Sequence, residues 1–305
     1  MAPPNIEIDP AVLATAAGQT VVITGAAGGI GAVTAALFNE NGANVVIADL
    51  SFARAAAEKL ISTLTYPDKA IFVSTDILNW AEMTSLFKEA ATRFGRVDVV
   101  VANAGIMETK PVLDLEAVDD NGDLLESREA FRVIDVNVKG TLNTIRLGLH
   151  FMRHNEKGGS ILLVASTSGY FGGTGVAAYI TSKHGVIGLL RSCQAVVMQN
   201  GVRLNAVAPF FTPTHITANF ADAWAAAGLE GNTAQDVARV VLQQSLNPEV
   251  AGTCVLACGS MRRELEAPRA AFIEQWMGSD VTKLMGEAGK LFATLGGYPL
   301  PKARQ

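Results

Sequence analysis

The sequence predicts an α/β fold in which helices cover both faces of one doubly wound parallel sheet, on three observations. Short apolar, β-branched runs alternate with segments of helical length, the runs are apolar at nearly every residue, and a glycine-rich turn follows the first of them. Alternation of strand and helix selects parallel pairing, because parallel neighbours need a crossover and right-handed helical crossovers pack back onto the sheet. Unbroken apolar character is expected of a strand when neither face meets water.

Seven parallel strands are expected, at Thr20–Thr24, Asn44–Asp49, Ala70–Ser74, Val97–Ala102, Ser160–Ala165, Val202–Val207 and Thr253–Ala257. Helices are expected between them at Gly29–Asn41, Phe52–Leu64, Trp80–Phe94, Glu129–Asn155, Val176–Asn200 and Ala234–Leu246. Two segments break the rhythm. Met107–Ser127, with Glu108, Asp114, Glu116, Asp119, Asp120, Asp123 and Glu126, reads as a solvated acidic insertion. The tail, Met261–Gln305, is too apolar to be left in water, and Phe272 and Trp276 share a helical face. The expected organisation is an arm over residues 1–18, one domain over 19–260, and a helical extension over 261–305 that is a pocket lid or an oligomer contact.

Of 305 residues, 49% are hydrophobic and 17% charged, ample for a large core. The net charge of -5, without Lys/Arg clusters interleaved with aromatics, argues against nucleic acid as a partner. Met1–Thr20 has no basic region leading into an apolar stretch, so no secretory signal is expected and the cytoplasm is the expected compartment. No apolar run approaches the ~18 residues of a membrane-spanning helix. A metal site is not expected: Cys254 and Cys258 lack a second ligand pair, and His150 with His154 supplies only two ligands.

The turn after the first strand reads Thr24-Gly25-Ala26-Ala27-Gly28-Gly29-Ile30-Gly31 and runs straight into a helix. Glycines there let the backbone approach a pyrophosphate, which then sits on the positive end of the helix dipole. Asp49 closes the second strand 24 residues after Gly25 (49 − 25), about the spacing at which a carboxylate grips the adenosine ribose diol. It would repel a 2′-phosphate, and Leu50 beside it supplies no cation to hold one, so NAD is expected rather than NADP.

Tyr179 and Lys183 stand four apart (183 − 179) and share a helix face. A phenol near pKa ~10 is a poor base at neutral pH, and a neighbouring cation favours its phenolate.

Together with Asp76, Ala102-Asn103-Ala104-Gly105, Asn137 and Ser166, in this order, these features resemble the short-chain dehydrogenase/reductase family from about Gln19 to Gly259. Ser166 precedes Tyr179 by 13 residues (179 − 166), a family-like separation. The resemblance implies a single Rossmann-like domain. It implies that Ser166 hydrogen-bonds the substrate oxygen, that Tyr179 exchanges its proton, and that Lys183 binds the nicotinamide ribose. It also implies that Asn137 kinks a helix and holds a water linking Lys183 to solvent. Thr24, Gly25, Gly29, Ile30, Gly31, Asp49 and Leu50 then belong to the cofactor cradle. Asn103, Ala104 and Gly105 pack beside the adenosine ribose, with Ala102 in place of the commoner first asparagine. Asp76 and Ile77 contact the adenine, and Pro209, Thr212 and Thr214 hold the nicotinamide carboxamide. Phe210 stands where the family usually has glycine.

The function expected is interconversion of a secondary alcohol and a ketone with NAD(H). Wording such as Thr181-Ser182-Lys183-His184-Gly185 resembles the 15-hydroxyprostaglandin dehydrogenase-like branch, which implies a lipophilic small molecule. Specificity is expected to lie in Tyr170–Thr174, Phe210–Phe220 and Met107–Val112. The other readings are a non-catalytic NAD-binding regulatory or scaffold protein, against which the intact Ser166, Tyr179 and Lys183 argue, and an NAD-using epimerase or dehydratase. The resemblance implies a homo-dimer or homo-tetramer through the helices at Glu129–Asn155 and Val176–Asn200.

Overall fold

The computed structural model describes residues 4–303. Its strands are β1 (Thr20–Thr24), β2 (Asn44–Asp49), β3 (Ala70–Ser74), β4 (Val99–Ala102), β5 (Gly159–Val164), β6 (Val202–Pro209), β7 (Cys254–Cys258) and β8 (Met261–Glu264). They form one sheet in the order β3-β2-β1-β4-β5-β6-β7-β8. The first seven pair in parallel, as expected; β8 runs antiparallel to β7 in a hairpin that brings Cys258 opposite Met261.

The eighth strand corrects the expected count. Met261-Arg262-Arg263-Glu264 is too polar to read as a buried strand, and it is an edge strand, where charged side chains are tolerated. Residues 5–16 of the expected arm are likewise tied down. Ile6 N donates to Arg262 O at 3.0 Å, Asn5 Oδ1 accepts from Arg262 N at 2.7 Å, and Leu13 and Ala16 enter the core.

The helices are α1 (Pro10–Ala14), α2 (Gly29–Glu40), α3 (Arg54–Thr63), α4 (Trp80–Phe94), α5 (Arg128–Ile134), α6 (Thr141–Met152), α7 (Ala177–Gln199), α8 (Ala218–Ala226), α9 (Ala234–Leu246), α10 (Glu266–Ala271), α11 (Ile273–Met277) and α12 (Ser279–Thr294). Successive strand residues feed opposite faces of the sheet. On β1, Val21 and Ile23 join Phe38, Leu162 and Val241 on one side, while Val22 joins Phe87, Ile161 and Leu204 on the other. Both faces being apolar is why these strands carry no polar alternation.

The helix expected over Glu129–Asn155 is interrupted: α5 and α6 are joined by a π-helical turn over Asp135–Gly140 that contains Asn137. Met107–Ser127 is largely exposed, as its charge suggests, with one isolated bridge between Val118 and Leu124. The tail beyond β8 folds as α10–α12 yet covers little. Phe272 is 49% and Trp276 69% exposed, so the packing expected of them is not made within one chain. Among the described residues, no helix is long and apolar enough to cross a membrane.

Candidate active site

A cavity of about 1470 Å³ opens at the carboxyl ends of the parallel strands, the place where open α/β sheets bind ligands. It exceeds the ~300–1,000 Å³ usual for one drug-sized ligand, leaving room for two.

At the β1 end the glycine turn is locked from beneath. Gly25 and Gly29 have φ of 65° and 56°, open to glycine at little cost. A Cβ on Gly31 would lie 2.4 Å from the Gly25 carbonyl oxygen, and one on Gly25 would lie 2.7 Å from Ala104 Cα. The Asn103 amide donates to the carbonyls of Thr24 (3.0 Å) and Gly25 (2.8 Å), and Thr24 Oγ1 accepts from the N–H groups of Asn103 and Ala104 at 3.2 Å each. The side chains of Thr24 and Asn103 are thus occupied in holding the turn. The Asp49 carboxylate reaches the same turn, accepting from Ala27 N at 2.9 Å and Leu50 N at 2.8 Å. A cradle with an anion-binding turn and a carboxylate at ribose height fits a nicotinamide dinucleotide.

Of the sequence-derived site residues, Thr24, Gly31 and Asn137 lie behind the cavity wall; all the others line it. Ser166 follows β5, and its Oγ accepts from Ser168 N at 3.1 Å. Tyr179 and Lys183 project from one face of α7. The buried Lys183 Nζ donates to the Val164 carbonyl at 2.9 Å and lies 5.5 Å from the centre of the Tyr179 ring. Asn137 connects this helix to the loop after β4: its amide donates to Ile106 O and Ser182 Oγ, and its Oδ1 accepts from Ile106 N.

The electrostatics differ from the sequence expectation. Burial lowers the Lys183 ammonium to about 8. The Tyr179 phenol is pushed up, first by burial; the Ser166 hydroxyl pulls the other way and the Glu108 charge adds to the rise. In the free chain, therefore, desolvation outweighs the help that Lys183 was expected to give.

Glu108 is the residue that sequence reasoning missed. Assigned to the solvated insertion, it is buried, and its two carboxylate oxygens accept from Ala178 N and Tyr179 N at 2.9 Å each. It thereby fastens the first turn of α7, where orphan N–H groups and the helix dipole favour an anion. Its only local signal is the apolar pair Ile106-Met107 just before it. Arg132, 3.9 Å from Asp76, and Phe52 also reach the cavity and were not foreseen.

The specificity segments reach the cavity only in part: Phe171, Gly172 and Thr174 line it, as do Met107 and most of Phe210–Phe220. Tyr170 turns away from the cavity and donates to Glu266 Oε1 at 2.7 Å. Glu266 also takes two 2.8 Å hydrogen bonds from Arg191 and one of 3.3 Å from Arg269. Burial works to raise the Glu266 carboxyl, but its bonds from Arg191 and Tyr170 win and hold it below the usual carboxylate range. The tail contributes this anchor; no residue beyond Cys258 lines the cavity among the described residues, so the expected lid over the chain's own pocket is not formed.

Burying Lys183 has a measurable cost. Its folded value of about 8 lies below the ordinary 10.5, so the unfolded chain binds the proton more tightly and stability rises with pH across that window. At pH 7 the penalty is present in full. Lys183→Met should therefore stabilise the cofactor-free protein at pH 7 by about 1–3 kcal/mol, allowing for the lost hydrogen bond, and the gain should shrink towards pH 10. Thermal melts of both proteins at the two pH values measure this, and a variant that melts lower at pH 7 would contradict it.

The match to known proteins agrees with the geometry. A family model described as "short chain dehydrogenase" matches residues 19–224. The short-chain dehydrogenase/reductase prx4 of Penicillium roqueforti is 32% identical over 288 residues, covering 87% of this chain and 83% of the relative. The 3beta-hydroxysteroid dehydrogenase 2 of Eggerthella lenta is 36% identical over 200 residues, covering 66% and 73%. Among solved structures, 3-ketoacyl-(acyl-carrier-protein) reductase from Brucella melitensis complexed with NADH has 26% identity and a TM-score of 0.67, covering 80% of this chain and 98% of that one. With the cradle and the Ser166, Tyr179 and Lys183 side chains lining one cavity, the chain belongs to the short-chain dehydrogenase/reductase family of oxidoreductases, which bind a nicotinamide dinucleotide.

Proposed function

We propose that the protein interconverts a secondary alcohol and the corresponding ketone with NAD(H) and acts on a lipophilic small molecule. The observation that carries this reading is the convergence of Ser166, Tyr179 and Lys183 with the glycine turn and Asp49 on one cavity. The wall beyond Ser166 is apolar, with Phe171, Val176, Phe210, Ile216 and Leu256 facing the space.

NAD supplies the hydride acceptor for oxidation and, in its reduced form, the donor for the reverse direction. Ser166 donates a hydrogen bond to the substrate oxygen. Tyr179 takes the hydroxyl proton in oxidation and returns it in reduction. Its phenol lies above its ordinary value in the free chain, so the nearby Lys183 ammonium, charged below about pH 8, is the group placed to favour the phenolate. Asn137 holds the loop after β4 against Ser182, one residue from Lys183.

We also infer a homo-oligomer. Phe131 and Leu142 on the α5–α6 run and Val196 and Met198 on α7 are large apolar side chains exposed in the single chain, and closed symmetric assemblies are the common way to cover such faces. Light scattering should give the mass of a dimer or tetramer; a monomer at micromolar concentration overturns this.

Tyr179→Phe should lower turnover of a secondary alcohol by about two to four orders of magnitude while NAD still binds. Wild-type turnover in that variant would remove Tyr179 from the mechanism. Asp49→Ala with Leu50→Arg should weaken NAD and improve NADP, because the carboxylate facing a 2′-phosphate is gone and a bidentate cation replaces it. Cofactor titrations that leave the preference for NAD unchanged would refute the role given to Asp49.

A further inference from the structure

We infer that the substrate end of the cavity is a ring subsite, and that the alcohol taken there is uncharged and carries a flat ring system beside its carbinol carbon. This rests on the proposed alcohol chemistry and names its substrate class. The wall is built by Phe210 and Phe211, which follow β6, and by Phe220 and Trp224 on α8; all four line the cavity.

Their arrangement is ordered. The Phe211 and Trp224 rings stack at 4.4 Å and 21°, Phe210 meets Trp224 edge-on at 5.3 Å and 70°, and Phe220 tilts against Phe211 at 5.3 Å. The Trp224 indole N–H is already bound to the Glu230 carbonyl at 3.2 Å, so the indole offers the cavity its apolar surface. Phe211 is buried as the base of the cluster, while Phe210 and Phe220 remain partly exposed. Phe171 approaches the same cavity from the loop after Ser166.

Charge points the same way. The Asp, Glu, Lys and Arg side chains on the cavity wall are Asp49, Asp76, Arg132 and Lys183, among the described residues. Asp49 holds the glycine turn, Asp76 lies near Arg132, and Lys183 is bound to Val164, so the aromatic wall has no Lys or Arg to meet a carboxylate or phosphate, and His215 is the one other basic side chain of the lining among the described residues. An alkyl chain placed against these rings gains only area burial, whereas a ring gains offset-stacked and edge-to-face contacts as well. Such a pair is worth about a three- to tenfold gain in binding.

The test compares 1-phenylethanol with 2-octanol, which have the same number of carbons, as substrates of the NAD-loaded enzyme. The aromatic alcohol should have the higher kcat/KM by about tenfold, and Trp224→Leu or Phe210→Leu, which keep the wall apolar but not flat, should reduce that ratio to near one. Equal or reversed selectivity in the wild type, or an unchanged ratio in both variants, overturns the ring subsite while leaving the alcohol chemistry standing. A binding readout separates the opposite failure. In a Trp80→Phe, Trp276→Phe background Trp224 is the remaining indole. Its emission in the NAD-loaded protein should be quenched saturably by acetophenone and not by 2-octanone. Quenching without turnover of any alcohol would retain the subsite and reject the proposed reaction; absence of saturable quenching would reject the subsite.

Discussion

The Lys183 ammonium sits out of water at the carboxyl end of the sheet with the Val164 carbonyl as its acceptor, and that placement constrains every neighbour. A buried cation is tolerated only where its surroundings supply acceptors and polarisable surface. Here they are a carbonyl at the end of β5, the Tyr179 ring, and the narrow space over Gly105, where an added Cβ would come 3.5 Å from Nζ and 3.2 Å from Asn137 Oδ1. The strand end, the glycine and the π-helical turn that carries Asn137 can be understood together as the shell that one ammonium requires. Irregular helix geometry of this kind recurs at functional sites because a regular helix could not aim the same side chain.

The second constraint is a compromise at the start of α7. Its first turn needs an acceptor for N–H groups that have no partner within the helix, and Glu108 supplies one with a full negative charge. The same charge works against ionisation of Tyr179, one of the residues it anchors. Precise placement of the phenol is thus obtained with a group that opposes its active form, and the Ser166 hydroxyl pulls the phenol the other way. Burial is the largest influence on both Tyr179 and Lys183, and at Tyr179 the Glu108 charge acts on top of it.

Much of this was legible in the sequence where local chemistry and global fold make the same demand. Gly25 and Gly31 announce a turn that leaves no room for a Cβ, Asp49 ends a strand at the height of that turn, and Tyr179 and Lys183 carry helical spacing. What escaped was decided by contacts between distant segments. Glu108 looks like one more charge in an acidic run, because the helix end that accepts it lies 70 residues further on. β8 escaped because an edge strand has no need of apolar continuity. Asn103 was placed by resemblance beside the adenosine ribose, and it does line the cavity, yet its amide is engaged with the turn itself. The apolar character of the tail was correctly noticed, but a stripe of exposed side chains does not say which surface covers it, and within one chain Phe272 and Trp276 find none.

Tyr170 follows Ser166 by four residues (170 − 166) and is tied, through Glu266, to Arg191 on the outer length of α7 and to Arg269 in the tail. A carboxylate shared by three donors cannot lose one of them without leaving charge or a phenol poorly satisfied. The segment after β8 is therefore not an interchangeable appendage. A carboxyl terminus spliced on from another relative would leave Tyr170 and Arg191 without their shared acceptor unless it brought a carboxylate to the place of Glu266.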